Sequence, residues 1–332
     1  MKAAAITVNA YWKPRHTASL KFRILTLITC VLFIVVLSIT TDGDTSYQEE
    51  EPRPNELNLH TLKEFRFLLK PQLYGREFCP SATVIYIIRS HPNRHEERKR
   101  VRSTWGREMR NLLIFVLGNE YRGQIRDDIR DESQQNRDIL LVDIVDCYRN
   151  MTLKSAAILQ WISAFCNSSR FFLQGDPDSI IFHQNTLDFL EKQDEAKAQI
   201  FGSCCFRAKV FRERGSKWAI SRDVYAPSTY PTYVSGGAWI FSSTAHTRLM
   251  LEMNGWLSPY MHVDDALISG ILAERANVTR VCLNTIIFAH DFKAMKNCSG
   301  KRYLAFLHNS LSYWQLVLRK AVTFVIPCFL VP

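Results

Sequence analysis

Asp176-Pro177-Asp178 follows the apolar run Phe171-Phe172-Leu173 after only Gln174-Gly175. Two carboxylates at i and i+2, where a buried strand runs out, can both turn toward one hard cation. Such a cation prefers oxygen ligands and bridges protein carboxylates to phosphates. In open α/β sheets, ligands sit just outside the carboxyl ends of strands. The tripeptide is also a good turn, because Pro presets φ and Asp bonds its own backbone; taken alone, it reads first as a turn. A second acidic pair, Asp264-Asp265, stands ahead of the apolar-periodic stretch Ala266 to Ala273. One of two adjacent acids can cap a helix while the other points outward, ionised near neutrality, as a general base. Gly236-Gly237 precedes the apolar run Ala238 to Phe241, which predicts a glycine pair ahead of a strand. Glycines there admit a ligand or another backbone, or form a bulge.

The elements that must position these residues are legible as an alternation. Thr83 to Ile88, Leu112 to Leu117, Ile139 to Val145 and residues 170–174 read as strands. Helices are expected over Asn93 to Thr104, Tyr121 to Asn136 and Thr152 to Cys166, the last with Leu153, Ala156, Ala157 and Trp161 on one face. Near-continuously apolar strands alternating with helices predict an α/β fold, its mostly parallel sheet covered on both faces.

Before this domain, Ile24 to Thr41 carries no charged residue and approaches the ~17–20 residues of a spanning helix. Lys13, Arg15, Lys21 and Arg23 precede it, and Asp42, Asp44 and Glu49 to Glu51 follow. Positive charge stays cytoplasmic, so the expectation is a cytoplasmic tail at 1–23, an uncleaved anchor at 24–41, a stem at 42–75 and a lumenal domain at 76–320. A cleaved signal peptide is the alternative, disfavoured by the long polar leader and the length of the apolar run. The apolar tail 321–332 is too short to span a bilayer. Sequons at Asn150, Asn167, Asn277 and Asn297, and eight of nine cysteines, follow the anchor, where glycosylation and disulfides are permitted. No CxxC pairing suggests zinc. The net charge of +10 would suit nucleic acid, which a lumenal address excludes. From Arg89 to Arg110 there are eight Arg/Lys against three Glu. This concentration suits a diphosphate-bearing ligand or a solvated helix face.

Six blocks in order resemble the β-1,3-galactosyl/N-acetylglucosaminyltransferases, glycosyltransferase family 31. Arg98-Lys99-Arg100-Val101-Arg102-Ser103-Thr104-Trp105-Gly106 is similar to R-x-x-x-R-x-T-W-G. Asn150 to Ser155 with Trp161 and Cys166 is similar to N-L-T-x-K-T…W…C, and Phe172 to Asp178 to V-L-K-T-D-D-D. Lys217-Trp218 through Tyr230-Pro231-Thr232-Tyr233-Val234-Ser235-Gly236-Gly237 is similar to K-W…Y-P-x-Y-x-S-G-G. Asp264-Asp265 resembles an E-D pair, and Cys298 with Leu304 to His308 resembles C…L-x-x-V-H.

The resemblance implies a GT-A fold in a type II Golgi membrane protein that uses a UDP-sugar and Mn2+ (or Mg2+). Its acceptor would be a glycan, glycoprotein or glycolipid. Asp178 would ligate the metal, Asp176 would lie near the ribose or the metal's water, and His308, or His290, would complete the site. Asp265, or Asp264, would be the base. Arg98 and Arg102 would lie near the nucleotide, and Gly236 and Gly237 near donor or acceptor sugar. The chain departs from the pattern at Gln174 (family Lys), at Pro177 (family Asp) and at Gly270, which falls one residue late. These departures keep open a non-catalytic relative acting as a lumenal carbohydrate-binding or scaffold protein. A metal-dependent phosphohydrolase would need a second metal with further carboxylates, and no such set is present in the sequence.

Overall fold

The computed structural model describes residues 64–75, 79–120, 123–255, 259–288 and 303–307, all within the unit Glu51–Pro332. The expected anchor, cytoplasmic tail and apolar tail, most of the stem, and His290, Asn297 and His308 lie outside the described residues. Among the described residues no helix is long and apolar enough to cross a membrane.

Strands β1 (Phe67–Leu69), β2 (Val84–Arg89), β3 (Leu113–Asn119), β4 (Ile139–Val145), β5 (Phe171–Gly175), β7 (Gln199–Cys205), β8 (Tyr233–Ser242) and β9 (Thr279–Cys282) form one sheet. Its order is β1-β4-β3-β2-β5-β8-β7-β9. The centre, β4-β3-β2-β5, is parallel, with Ile85 opposite Phe172 and Ile88 opposite Gly175. β1 and β8 are antiparallel to their neighbours, so the sheet is mixed. A three-stranded sheet pairs β10 (Ile286–Phe288), β11 (Ala305–Leu307) and β6 (Ile180–Ile181).

Alternate side chains of the central strands feed two cores. On one face Ile85, Ile87, Val116, Leu140 and Phe172 pack against α3 (Met151–Phe165) and α5 (Ser243–Asn254). On the other, Val84, Tyr86, Phe115, Leu141 and Phe171 meet Val101 of α1 (His95–Ser103), Ile129 of α2 (Asp127–Asn136) and Leu190 of α4 (His183–Leu190). Burial on both sides is why these strands carry almost no polar residue.

Three expectations need correction. α2 begins at Asp127 rather than Tyr121, since Gly123 holds φ at 75° and Arg126 is extended. α3 is buried over most of its surface rather than on one face; Lys154 is enclosed with its ammonium on both Asp146 oxygens (2.7 and 2.8 Å) and on the Ser90 carbonyl (2.8 Å). Gly236-Gly237 lies inside β8, not ahead of it. Disulfides join Cys79 to Cys166, tying the approach to β2 to the end of α3, and Cys204 to Cys282, tying β7 to β9.

Candidate active site

Asp176-Pro177-Asp178 leaves the carboxyl end of β5 as a turn closed by the Ser179 N–H on the Asp176 carbonyl (3.0 Å). The turn and metal readings are therefore not exclusive. The Asp176 N–H (3.0 Å) and the Ser179 hydroxyl (2.8 Å) both donate to the Gly237 carbonyl, fixing the turn against β8. At that point β8 leaves the β7 ladder: the register shifts between Gly202 opposite Trp239 and Cys204 opposite Val234. Ser235-Gly236-Gly237 bulges there, beside the site. A Cβ on Gly236 would lie 3.2 Å from an Arg89 nitrogen and 3.5 Å from Asp265 Cβ.

Arg89, the last residue of β2, holds the pieces together. Its Nε donates to Asp176 Oδ1 (2.9 Å), Nη1 to Asp264 Oδ2 (2.6 Å) and Nη2 to the Gly236 carbonyl (2.7 Å). Nη2 also lies 2.7 Å from Asp176 Oδ1, and the side chain is almost wholly buried. The planar fork fixes two carboxylates and a carbonyl in one rigid geometry, which a compact ammonium on a flexible stem does not. Sequence reasoning counted Arg89 only among the basic concentration, although its place at a strand's carboxyl end beside β5 was a usable signal.

The second acidic pair divides its labour differently from the expectation. Asp264 accepts from Arg89 and from the Ser155 hydroxyl (2.7 Å), which in turn accepts from the buried Gln174 amide (3.3 Å). Asp265 is the residue at the helix start, its Oδ1 accepting from the Ala266 N–H (2.8 Å) and its Oδ2 from the Gly236 N–H (3.3 Å). The helix that follows is a π-helix over Ala266–Leu272 running into Ala273–Arg275. A π turn holds more residues than an α turn and concentrates at functional sites. It absorbs the residue that puts Gly270 late: Gly270 still faces β8, where a Cβ would meet Tyr233 Cβ at 3.0 Å. Ser269 accepts from the Val234 N–H (2.8 Å) and donates to the Asp265 carbonyl (2.7 Å), bonding the π turn to the bulge.

Asp176, Asp178, Asp264, Asp265, Arg89 and Gly236-Gly237 line one cavity of about 490 Å3 with Tyr148, Lys209, Phe211, Lys217, Trp218 and Tyr233. Burial pushes the Asp176 carboxyl up to about 6, reinforced by Asp178 and Asp264 and opposed by Arg89. Burial, with Asp264 adding, pushes Asp265 up to about 7. Four carboxylates line the cavity against Arg89, Lys209 and Lys217, a net acidic centre of the kind a hard divalent cation offsets. Asp176 and Asp178 thus fit such an ion. Among the described residues no cluster of three or more His, Cys, Asp or Glu side chains is arranged to hold a metal unaided.

The remaining expected residues lie elsewhere. Arg98 is fully buried and spends all five donors, on Glu132 (2.9 and 2.6 Å), Ser90 Oγ and the carbonyls of His91 and Pro92. It has no N–H left for a nucleotide. Arg102 forks onto Asp138 (2.8 and 2.8 Å) and reaches Glu132 (2.7 Å). Neither lines the acidic cavity. Asn150 is buried, its amide donating to the Val145 carbonyl (2.8 Å), and the Thr152 hydroxyl donates to Met261 (2.7 Å). That sequon is closed in the folded chain, whereas Asn167 and Asn277 are exposed.

Residues 96–284 match the family model described as Galactosyltransferase. The chain belongs to the galactosyltransferase family. Its N-acetyllactosaminide beta-1,3-N-acetylglucosaminyltransferase 4 relative from Mus musculus is 31% identical over 231 residues, covering 68% of this chain and 64% of that protein. Beta-1,3-galactosyltransferase 1 of Homo sapiens is 29% identical over 213 residues, covering 60% and 64%. Lactosylceramide 1,3-N-acetyl-beta-D-glucosaminyltransferase B of Danio rerio is 27% identical, covering 59% and 54%. The chain thus spans less than two thirds of the length of each of these galactosyltransferase-family relatives. Among solved structures, the galactosyltransferase LgtC bound to donor and acceptor sugar analogues overlaps with a TM-score of 0.38 at 11% identity, over 74% of this chain and 97% of that one. So loose an overlap carries no argument.

Proposed function

We propose that this chain is an inverting hexosyltransferase of GT-A type. It moves a hexose or N-acetylhexosamine, galactose first, from a UDP-sugar to a glycan hydroxyl in β-1,3 linkage, as a metal-dependent enzyme of the Golgi lumen. The observation that supports this most is the meeting of both acidic pairs on one buried arginine in a single cavity.

An α-linked donor gives a β-linkage by one in-line displacement, which needs a carboxylate to take the acceptor's proton as the bond forms. Asp265 is that group in this reading. Its pKa of about 7 keeps it ionised enough to act and basic enough to accept. Asp264 takes both the Arg89 guanidinium and the Ser155 hydroxyl on Oδ2 and in this reading holds Arg89; it stands as the alternative base. Asp178 and Asp176, with His308 or His290, would hold Mn2+ or Mg2+, which would supply Lewis-acid neutralisation of the leaving diphosphate. Gly236 and Gly237 keep the wall low where sugar must approach.

The test is transfer from UDP-galactose and UDP-N-acetylglucosamine to β-galactoside and β-N-acetylglucosaminide acceptors, with manganese and with chelator. Manganese-dependent transfer of either sugar is expected. Binding of glycans with no affinity for any nucleotide sugar would replace the enzyme by the carbohydrate-binding alternative.

A further inference from the structure

A second cavity, of about 380 Å3, is lined by Arg102, Arg107, Arg110, Asn136, Asp138 and their neighbours. It opens at the amino ends of β3 and β4, since Leu113 starts β3 and Asp138 immediately precedes β4. The acidic cavity opens at the carboxyl ends of β2 and β5. Strands of this length, at about 3.3 Å per residue, put the two roughly 20 Å apart on opposite edges of the sheet.

The charges in this second cavity do not cancel. Arg98 and Arg102 are matched by Glu132 and Asp138 in one buried network, which His95 also joins through Glu132 (3.0 Å). That network consumes Asp138, the acid lining the cavity, in a two-bond fork with Arg102 whose guanidinium also packs on the Phe115 ring (4.7 Å). Arg107 and Arg110 are then left without an ion-pair partner among the described residues, both exposed. Glu108, between them in sequence, does not line the cavity. Gly106 fixes the turn that carries them: a Cβ there would lie 2.8 Å from the Val101 carbonyl and 2.9 Å from a Leu113 methyl, so the turn sits tight on β3. The result is a rigidly based concavity with two uncompensated guanidinium groups at its mouth, and guanidinium forks match tetrahedral oxyanions.

We propose that this cavity is an oxyanion-binding site, distinct from the acidic cavity, that takes the sulfate or phosphate monoester of a small ligand on Arg107 and Arg110. It does not depend on the transferase reading, because the acidic cavity takes no part in it.

The test is thermal-shift titration of the full-length chain, without donor or manganese, at ionic strength held constant with chloride. The probes are galactose 6-sulfate, inorganic sulfate, inorganic phosphate and neutral galactose, applied to wild type and to the Arg107→Ala/Arg110→Ala double variant. Both arginines are exposed, so the variant keeps its unliganded melting temperature. The anions should stabilise wild type saturably, galactose should not, and the double variant should lose at least about tenfold in apparent affinity. Stronger stabilisation by galactose 6-sulfate than by sulfate identifies a sulfated saccharide as the source; parity identifies a free oxyanion. Equal responses of wild type and variant, or no saturable response to any anion, overturn the proposal.

Discussion

Arg89 sets the electrostatics of the acidic cavity residue by residue. Its guanidinium touches Asp176, Asp264 and the Gly236 carbonyl and opposes the burial that raises Asp176 and Asp265. In the proposed enzyme, kcat/KM rises with pH as Asp265 ionises through about 7. Arg89→Met should therefore move that acidic limb to higher pH and lower kcat by about 10–100-fold. Arg89→Lys should return the limb toward its place without restoring kcat, because an ammonium restores the charge but not the rigid fork that fixes both carboxylates. An unmoved limb in the Met variant would mean that Arg89 acts on packing alone. Asp178→Ala should abolish manganese-dependent binding of UDP-galactose by calorimetry while leaving the melting temperature near wild type, since removing one ligand leaves the diphosphate charge poorly compensated. Unchanged affinity would reduce the Asp-Pro-Asp segment to its turn. A raised carboxyl pKa also costs stability at high pH. The contribution from Asp265 is fully present below the ordinary Asp range and is lost as pH rises through about 7.

At the scale of elements, the site depends on β8 breaking from β7 while the π turn follows it. Gly202 sits at that break, and a Cβ there would fall 2.2 Å from a Val234 methyl. Gly202→Ala should cost about 1–3 kcal/mol by overpacking, measured by denaturant unfolding; an unchanged midpoint would show that β7 and β8 slide freely here. The central strands were readable because burial on both faces leaves an apolar run with no competing period. Ile139–Val145 has the expected bounds, and Phe171–Gly175 is displaced by one residue. The bulge was not readable: Ser-Gly-Gly signals either a turn or a break in a ladder, and only the distant partner β7 decides between them. Likewise, the late Gly270 looked like a fault in the acidic block, whereas a π turn takes up the extra residue. The two-residue β6 and the three-residue β10 and β11 carry too little periodicity to be read at all.

Across the whole molecule, the sequence pattern pointed to both acidic pairs but not to the arginine between them, because Arg89 meets Asp264 across 175 positions of chain. Arg98 and Arg102 carried the stronger motif and proved to be spent on Glu132 and Asp138. Burial separates the sequons in the same way. A lumenal chain should carry glycans at the exposed Asn167 and Asn277 and none at Asn150, as peptide mass spectrometry before and after endoglycosidase will read; a wholly unmodified secretory-cell product would contradict the lumenal address. The central claim is that Asp265 takes the acceptor proton in a cavity whose donor side is built on Asp178. Its most direct test is to measure, on one preparation of Asp265→Asn, both UDP-galactose affinity with manganese and the rate of galactose transfer. The amide keeps the helix-start contact but cannot accept a proton, so donor affinity should match wild type while transfer falls by about 10²–10⁴-fold. Transfer at the wild-type rate in that variant would contradict the account.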